Sequence, residues 1–319
     1  MKSIQSKILL VVIAGLLVIT ALVSAIAVNM THEVMHRDAD RILKNAAQSQ
    51  AASINDILGD VVKSISIMEH YATEEIENAN ILKDTDARDK YIQTVDTMFT
   101  EVALNTSGVE GFYMRLDPEV SSGTSGFYKM LDSDGSLKYM PLTDLTKYKK
   151  DDKQNVGWYY EAVNAGKGVW LDPYYFPGDD SLLISFVQPL YVQRELIGVV
   201  GFDMDFSYLV KYIDEIRVYE SGFAVLLAKD GVTVYNNIPD NDSTHNPHTE
   251  SKVQLKNGMY LELRADYKDI QRDIYPMLTK IVLAFIVVLI ASIVYTVIVT
   301  DRIVRPLKQL TASAEAISA

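Results

Sequence analysis

The sequence predicts an α+β domain attached to two membrane-spanning helices, and three observations support this fold class. Two uncharged apolar segments, residues 8–28 and 281–300, each have about the 20 residues that an α-helix needs to cross a bilayer. A stretch without Gly or Pro follows the first segment and predicts a long helix. Further on, apolar residues alternate with polar ones between turn signals, a pattern typical of β-strands.

The charges beside the apolar segments predict the orientation in the membrane. Basic residues lie at the outer end of each segment: Lys2, Lys7, Arg302, Arg305 and Lys308. Because cytoplasmic flanks carry an excess of Lys and Arg, both termini are expected in the cytoplasm of a plasma-membrane protein. The small residues Ala25 and Ala27 would also fit a cleaved signal peptide, but the first segment is longer than the roughly 7 to 15 apolar residues of such peptides. A retained helix is therefore the favoured interpretation.

These boundaries divide the chain into five predicted segments. They are a cytoplasmic N-terminus at 1–7, a transmembrane helix at 8–28, an extracytoplasmic region at 29–276, a second transmembrane helix at 277–300 and a cytoplasmic end at 301–319. The extracytoplasmic region is expected to contain a long helix at 29–80, a membrane-distal module at about 81–206 and a membrane-proximal module at about 207–270.

The composition of the extracytoplasmic region excludes two classes of function. Residues 29–276 contain 40 acidic and 24 basic residues, a net charge of −16 within a chain of net charge −12. Such a surface repels phosphate backbones, so nucleic acid is not expected as a partner. The chain has no Cys, which excludes thiol catalysis and leaves the stability of the fold to its core.

The long helix carries an apolar seam with alternating spacings of four and three residues. Its members are Ile54, Leu58, Val61, Ile65, Met68 and Ala72. This spacing is typical of a helix that packs along its length. The seam is expected to pack on the domain of the same chain or to form the stalk of a homodimer, and the pattern alone does not decide between them.

Two sets of strands predict two sheet modules. The first set is 109–116, 126–131, 169–175, 182–192 and 196–206, with a short helix at 158–165 that Gly166 ends. The second set is 222–227, 231–235, 252–255 and 259–264, with a polar loop over 236–250. A pattern of Phe, Leu, Asp-Gly and Tyr that begins at Phe127 recurs with the same spacing at Phe223, which favours related modules in tandem.

Several short motifs in this order resemble the double Cache domain, an extracytoplasmic sensor of bacterial receptors. The motifs are Gly157-Trp-Tyr-Tyr-Glu-Ala, Gly168-Val-Trp-Leu-Asp-Pro-Tyr174, the strand from Ile184 to Leu190, and Leu196-Ile-Gly-Val-Val-Gly-Phe-Asp203. The resemblance implies a long N-terminal helix followed by two tandem PAS-like antiparallel-sheet modules. The segment after the second span, with Arg302, Pro306 and Leu307, is similar to the start of a HAMP relay.

The resemblance also implies a ligand pocket in the membrane-distal module. The positions that contact ligand in amino-acid-binding members correspond here to Trp158, Tyr159, Tyr174 and Asp203. Strand position adds three further candidates, Tyr113, Arg115 and Tyr128. Aromatic faces attract an ammonium group, and a carboxylate pairs with it where water is scarce.

Three positions depart from the amino-acid-binding pattern. Val156 replaces the arginine that holds the ligand carboxylate, Asp151 replaces a tyrosine, and Phe176 replaces an acidic residue. Without a guanidinium group the bidentate recognition of a carboxylate is lost, which favours an amine or another small polar ligand. A carboxylate ligand would need a point charge from a nearby lysine, and the candidates are Lys149, Lys150 and Lys153.

Residues 32–36 match the H-E-x-x-H pattern of zinc proteases, with His32 and His36 as ligands and Glu33 as the base. The motif lies just beyond the first span on the predicted long helix, without a third ligand at short spacing. We therefore interpret it as part of a solvated helix and expect neither a metal nor another cofactor. His245 and His248 fall in the predicted polar loop and are expected to be solvated too.

Taken together, these features predict a transmembrane signal-transduction receptor that is not an enzyme in this stretch. It is expected to be a homodimer in the lipid bilayer that senses a small extracellular solute. HAMP would relay the signal to a cytoplasmic output for chemotaxis, a histidine kinase or a diguanylate cyclase. The alternatives are a membrane-anchored zinc metalloprotease that uses residues 32–36 and a structural anchor without a ligand.

Overall fold

The computed structural model describes residues 4–132, 134–176, 181–220, 222–238 and 248–318. The chain divides into two compact units. One unit contains residues 1–42, 245–249 and 265–319, and the other contains residues 43–244 and 250–264. The second unit holds the first sheet and most of the second, whereas the first unit holds the apolar parts of two long helices.

Those two helices are α1 (Ile4–Glu74) and α5 (Tyr267–Ser318), and each contains a segment long and apolar enough to cross a membrane. No residue in the most apolar window of either helix is buried inside the described structure. Apolar side chains that face outward over such a length are suited to contact lipid.

The apolar seam of α1 packs on the second unit of the same chain. All six seam residues, from Ile54 to Ala72, are at most 1% exposed. The first of the two predicted alternatives is therefore confirmed for this part of the helix. A homodimer stalk remains a prediction for other faces of α1, where Ile67, for example, is 57% exposed.

The first module is built on a seven-stranded antiparallel sheet. Its strands are β1 (Val109–Leu116), β2 (Gly126–Leu131), β3 (Leu137–Tyr139), β4 (Val169–Trp170), β5 (Tyr174–Tyr175), β6 (Leu182–Val192) and β7 (Glu195–Asp205). Their order is β3-β2-β1-β7-β6-β4, and β5 pairs with β6. The predicted strands at 109–116, 126–131 and 182–192 are confirmed with the same bounds.

Two other predicted strands of this module differ from the structure. The segment 169–175 forms two short strands, since Pro173 between them has no N–H to donate to a ladder. The last strand ends at Asp205 rather than residue 206. There the Asp205 carboxylate accepts a hydrogen bond from the Ser207 amide and caps α4 (Phe206–Asp214).

Helices cover both faces of this sheet. On one face α2 (Thr85–Leu104) brings Phe99 against Phe127, with ring centroids 5.7 Å apart. On the other face α3 (Lys153–Ala165) packs in a core cluster that includes Tyr113. α3 begins at Lys153 rather than residue 158 because Asp152 caps it, and it ends as predicted at Gly166, whose φ is 64°. Two short 3-10 helices occupy Ala79–Lys83 and Leu145–Lys147.

The second module is a four-stranded sheet in the order β10-β11-β8-β9. Its strands are β8 (Phe223–Leu227), β9 (Thr233–Asn236), β10 (His248–Gln254) and β11 (Tyr260–Asp266). His248 was predicted in a loop, but the structure places it at the start of β10, where the sheet extends beyond the predicted strand. His245 lies outside the described residues.

The repeated sequence pattern marks equivalent hairpins in the two sheets. The β2–β3 and β8–β9 turns each contain a glycine with positive φ, Gly135 at 81° and Gly231 at 88°. In both turns the glycine N–H donates a hydrogen bond to the carbonyl three residues earlier. Gly135 donates to Asp132, and Gly231 donates to Ala228. The predicted α+β architecture, with a long helix and two tandem sheets, is thus confirmed.

Candidate ligand site

Asp203 is the buried polar centre of the sheet face that α3 covers. The residue is 2% exposed, and its Oδ1 accepts hydrogen bonds from Ser185 Oγ at 2.6 Å and from the Tyr174 hydroxyl at 3.3 Å. The Tyr128 hydroxyl also lies close enough to this carboxylate to lower its pKa. A buried carboxylate with hydroxyl donors can accept a stronger, charge-assisted bond from a cation.

Strand pairing brings these groups together. Ser185 on β6 is the direct cross-strand partner of Asp203 on β7, so their side chains lie side by side on one face. β5 pairs with β6 and adds Tyr174 at the edge of the sheet. Gly201 makes room for a neighbouring ring, because a Cβ there would lie 2.2 Å from Cζ of Tyr113.

Aromatic rings line the same face. Tyr113 is central, with ring centroids 5.7 Å from Tyr128 and 5.2 Å from Trp158. Phe176 extends the group, 6.4 Å from Tyr128. The Trp158 indole N–H donates to the backbone carbonyl of Asn155 at 3.2 Å, which fixes the orientation of the ring. The five candidates Trp158, Tyr174, Asp203, Tyr113 and Tyr128 therefore form one cluster.

Burial dominates the protonation preferences of this cluster. Desolvation raises the pKa of Asp203 above its ordinary value of 3.8, and the hydroxyl donors from Ser185, Tyr128 and Tyr174 oppose that rise. Burial also raises the pKa of Tyr113 well above 10.0, and the negative charge of Asp203 raises it further. The tyrosines are therefore neutral hydroxyls that donate hydrogen bonds.

The polar groups of Arg115 and Tyr159 make other buried contacts, although the Tyr159 ring lies 5.8 Å from that of Trp158 and in the same core cluster as Tyr113. The Tyr159 hydroxyl donates to Asp117 Oδ2 at 2.6 Å. Arg115 is fully buried, and its guanidinium donates to three backbone carbonyls, those of Leu116, Ser125 and Thr143. Burial lowers the pKa of Arg115, while Tyr159 and nearby carboxylates oppose that change. The polar groups of these two candidates thus hold the chain around β1, and the Tyr159 ring borders the aromatic cluster.

The positions that depart from the amino-acid-binding pattern offer no guanidinium here. Val156 is fully buried in the core beneath α3. Lys149, Lys153 and Asp151 are exposed at the surface. Lys150 is also exposed, and its Nζ lies 3.4 Å from Oε1 of Glu119.

Sequence reasoning missed two residues that hydrogen-bond to the candidates, Ser185 beside Asp203 and Asp117 beside Tyr159. Both depend on pairing between distant segments: Ser185 meets Asp203 only through the β6–β7 register, and Asp117 meets Tyr159 across 42 positions. The alternation of side chains along β6 predicts which face of the sheet Ser185 lies on. It does not predict which residue of the neighbouring strand Ser185 meets.

The H-E-x-x-H motif lies on an exposed part of α1. The His32 and His36 rings are 4.6 Å apart, and Glu33 lies 3.9 Å from Arg37. The ring of Tyr267 lies 5.5 Å from that of His36. Among the residues that the structure describes, no group of three His, Cys, Asp or Glu side chains could hold a metal ion.

Comparisons with known proteins find that the first module is similar to a family of sensor domains. Residues 80–211, which include the Asp203 cluster, match the family model described as "Methyl-accepting chemotaxis protein-like, first PDC sensor domain". The methyl-accepting chemotaxis protein McpA of Bacillus subtilis is 23% identical over 357 residues, which cover 99% of this chain and 47% of that protein. PctB of Pseudomonas aeruginosa is 29% identical over 110 residues, which cover 34% of this chain and 17% of that protein. The chain thus spans half the length or less of these relatives.

Solved sensor domains share the fold at low sequence identity. The sensory domain of the Campylobacter jejuni chemoreceptor Tlp3 superimposes with a TM-score of 0.56 and 11% identity, over 76% of this chain and 99% of that one. A structure named methyl-accepting chemotaxis protein X gives a TM-score of 0.54 and 16% identity, over 73% of this chain and 98% of that one. The first module thus matches a PDC sensor family model, and the described fold is shared with solved sensor domains of chemoreceptors.

Proposed function

We propose that the chain is the sensing region of a transmembrane chemotaxis-type receptor and that the Asp203 cluster binds a small amine. The observation that carries this proposal is a buried carboxylate whose described partners are hydroxyls of Ser185, Tyr174 and Tyr128. An ammonium group would supply the positive charge that this carboxylate lacks. The rings of Tyr113 and Trp158 would stabilise the same cation through their faces.

The site has no evident positively charged group, among the residues that the structure describes, for a ligand carboxylate to bind. Val156 occupies the position of the guanidinium in amino-acid-binding relatives of the fold, and Arg115 already donates to three backbone carbonyls. Lys150 forms an ion pair with Glu119 at the surface. These contacts favour a ligand that presents an amine without an α-carboxylate.

Ligands of similar sensor domains support recognition of an ammonium group. Structures of the Campylobacter jejuni chemoreceptor Tlp3 contain L-valine or isoleucine, and a structure of Mlp24 contains asparagine. Each of these amino acids carries both an ammonium and a carboxylate. We infer that this chain shares the ammonium half of the recognition and lacks the carboxylate half.

Signal transmission follows from a difference in affinity between two states. We place both termini in the cytoplasm and assign the relay to α5, which continues into the HAMP-like segment at 301–319 of a homodimer. A ligand that binds one of two packing states about 100-fold better shifts their equilibrium by about 2.7 kcal/mol. The output driven by this shift belongs to a further domain of the receptor.

Thermal unfolding of the full chain in detergent tests the proposal. The two tryptophans, Trp158 and Trp170, both lie in the first module, so their fluorescence reports on the module that contains the site. An amine present at about 100 times its dissociation constant should stabilise the parent by about 2.7 kcal/mol. It should not stabilise Asp203→Asn, whereas the matched control Asp205→Asn should respond like the parent.

Two results would contradict the proposal. One is a panel of amines, amino acids and carboxylates in which no amine shifts the midpoint of unfolding. The other is an amine that stabilises Asp203→Asn as much as the parent.

A further inference from the structure

A cavity lies in the first module, between α2 and strand β2. It has a volume of about 380 Å³, and its lining includes Arg88, Gln93 and Phe127. Phe127 and Tyr128 are neighbours on β2, so their side chains point to opposite faces of the sheet. Because Tyr128 faces the Asp203 cluster, the cavity belongs to the other face and is a separate space.

Arg88 at this cavity is buried without full hydrogen bonding. Its side chain is 10% exposed, and its Nε and Nη1 atoms are buried without a hydrogen-bond partner. Nε lies 3.5 Å from Oδ1 of Asp89, which is within ion-pair distance but lacks hydrogen-bond geometry. Asp89 is 66% exposed, so water screens most of that attraction.

The other charges at the cavity are compensated. Asp96, which also lines it, pairs through Oδ1 with Lys129 Nζ at 2.7 Å and accepts a hydrogen bond from the Tyr139 hydroxyl at 2.6 Å. This leaves the Arg88 guanidinium, whose ion-pair partner Asp89 is exposed, as the group at the cavity with buried donors that lack acceptors. Buried donors without acceptors are costly, and an anion would satisfy them.

The remaining lining indicates what kind of anion fits. Ile92 and Phe127 provide apolar surface, and Gln93 and Thr124 provide polar groups. A guanidinium matches the planar geometry of a carboxylate. We propose that this cavity is a second ligand site, which binds a small carboxylate such as lactate through Arg88. This inference goes beyond the amine site and does not depend on it.

Binding measurements on the full chain in detergent test this inference. They compare lactate, acetate and inorganic phosphate with chloride at equal ionic strength. Lactate should bind saturably to the parent and to Asp203→Asn. Arg88→Met should weaken its binding by about ten- to a hundredfold, because the charged hydrogen bonds are lost. Lys90→Met, an exposed change on the same helix, should bind lactate like the parent.

Without ligand, Arg88→Met should unfold at no lower temperature than the parent, since it removes a buried charge that lacks partners.

Arg88→Lys provides the same test if Arg88→Met does not fold, because a lysine keeps the charge but loses the planar fork. It should also weaken lactate binding. Lactate binding that is unchanged in these variants would overturn the inference. Equal effects of lactate, phosphate and chloride on the parent would overturn it as well, since they would show a general salt effect.

Discussion

At the scale of single residues, the proposed amine site rests on one carboxylate, Asp203, which is buried among hydroxyls and aromatic rings. Asp203 gains from its hydroxyl donors but loses more through desolvation, so the net effect is a raised pKa. Such a group is poorly satisfied in its charged form until a cation arrives. Arg88 on the opposite face presents the complementary case of a cation with unpartnered donors.

Asp203→Asn should make the ligand-free protein more stable at neutral pH. The pKa of Asp203 is raised in the folded state, so its titration destabilises the fold as pH rises from about 3.8 through the raised pKa. Asn keeps the shape of the side chain and removes this charge. The gain in unfolding midpoint over the parent should therefore be smallest in acid and largest at neutral pH, as measured by thermal unfolding across pH. A gain in the unfolding midpoint of Asp203→Asn that shrinks as pH rises would contradict the argument.

At the scale of helices and strands, local patterns predicted most of the elements. Strands β1, β2 and β6 have the predicted bounds because their alternating apolar residues lie between clear turn signals. The start of α3 was missed because Asp152 caps a first turn whose residues are polar. Pairings such as Ser185 with Asp203 could not be predicted, because they depend on register between strands rather than on local sequence.

Two glycines near the Asp203 site should respond in opposite directions to alanine. Gly201→Ala places a methyl group 2.2 Å from the Tyr113 ring, so it should lower the free energy of unfolding by about 1–3 kcal/mol and weaken amine binding. Gly157→Ala meets only ordinary contacts, at 3.5 Å from Lys153 and 3.7 Å from Glu161, within α3. It should raise the free energy of unfolding by about 0.5–1 kcal/mol through helix propensity. Denaturant titration compares the two, and a stabilising Gly201→Ala would contradict this packing.

The buried seam of α1 gives a third prediction. Leu58→Ala should lower the free energy of unfolding by about 2–5 kcal/mol, because Leu58 is 0% exposed and its loss leaves a cavity. Ile67→Ala on the same helix should change it by no more than about 0.5 kcal/mol in a monomer, because Ile67 is 57% exposed. Denaturant titration at low protein concentration measures both. Equal effects would show that the seam is not the main packing face.

At the scale of the whole molecule, one continuous helix joins an apolar segment to the sensor region. α1 carries a candidate membrane span near its N-terminus and the buried seam further along, and α5 leads from the end of the second sheet into another candidate span. Helix α1 is therefore continuous from its candidate membrane span to the buried seam. We expect the signal to depend on a difference in ligand affinity between two packing states of these elements.

Calorimetry on the full chain in detergent tests the central claim most directly. It measures the affinity of one small amine for the parent, for Asp203→Asn and for Asp205→Asn. Loss of the buried counter-charge should cost about 3–5 kcal/mol, so Asp203→Asn should bind more than about a hundredfold more weakly than the parent. Asp205→Asn should bind with the affinity of the parent. Binding to the parent should also weaken as pH falls through the raised pKa of Asp203, because the carboxylate must be ionised to pair with the amine. Equal affinity of Asp203→Asn and the parent would contradict the account.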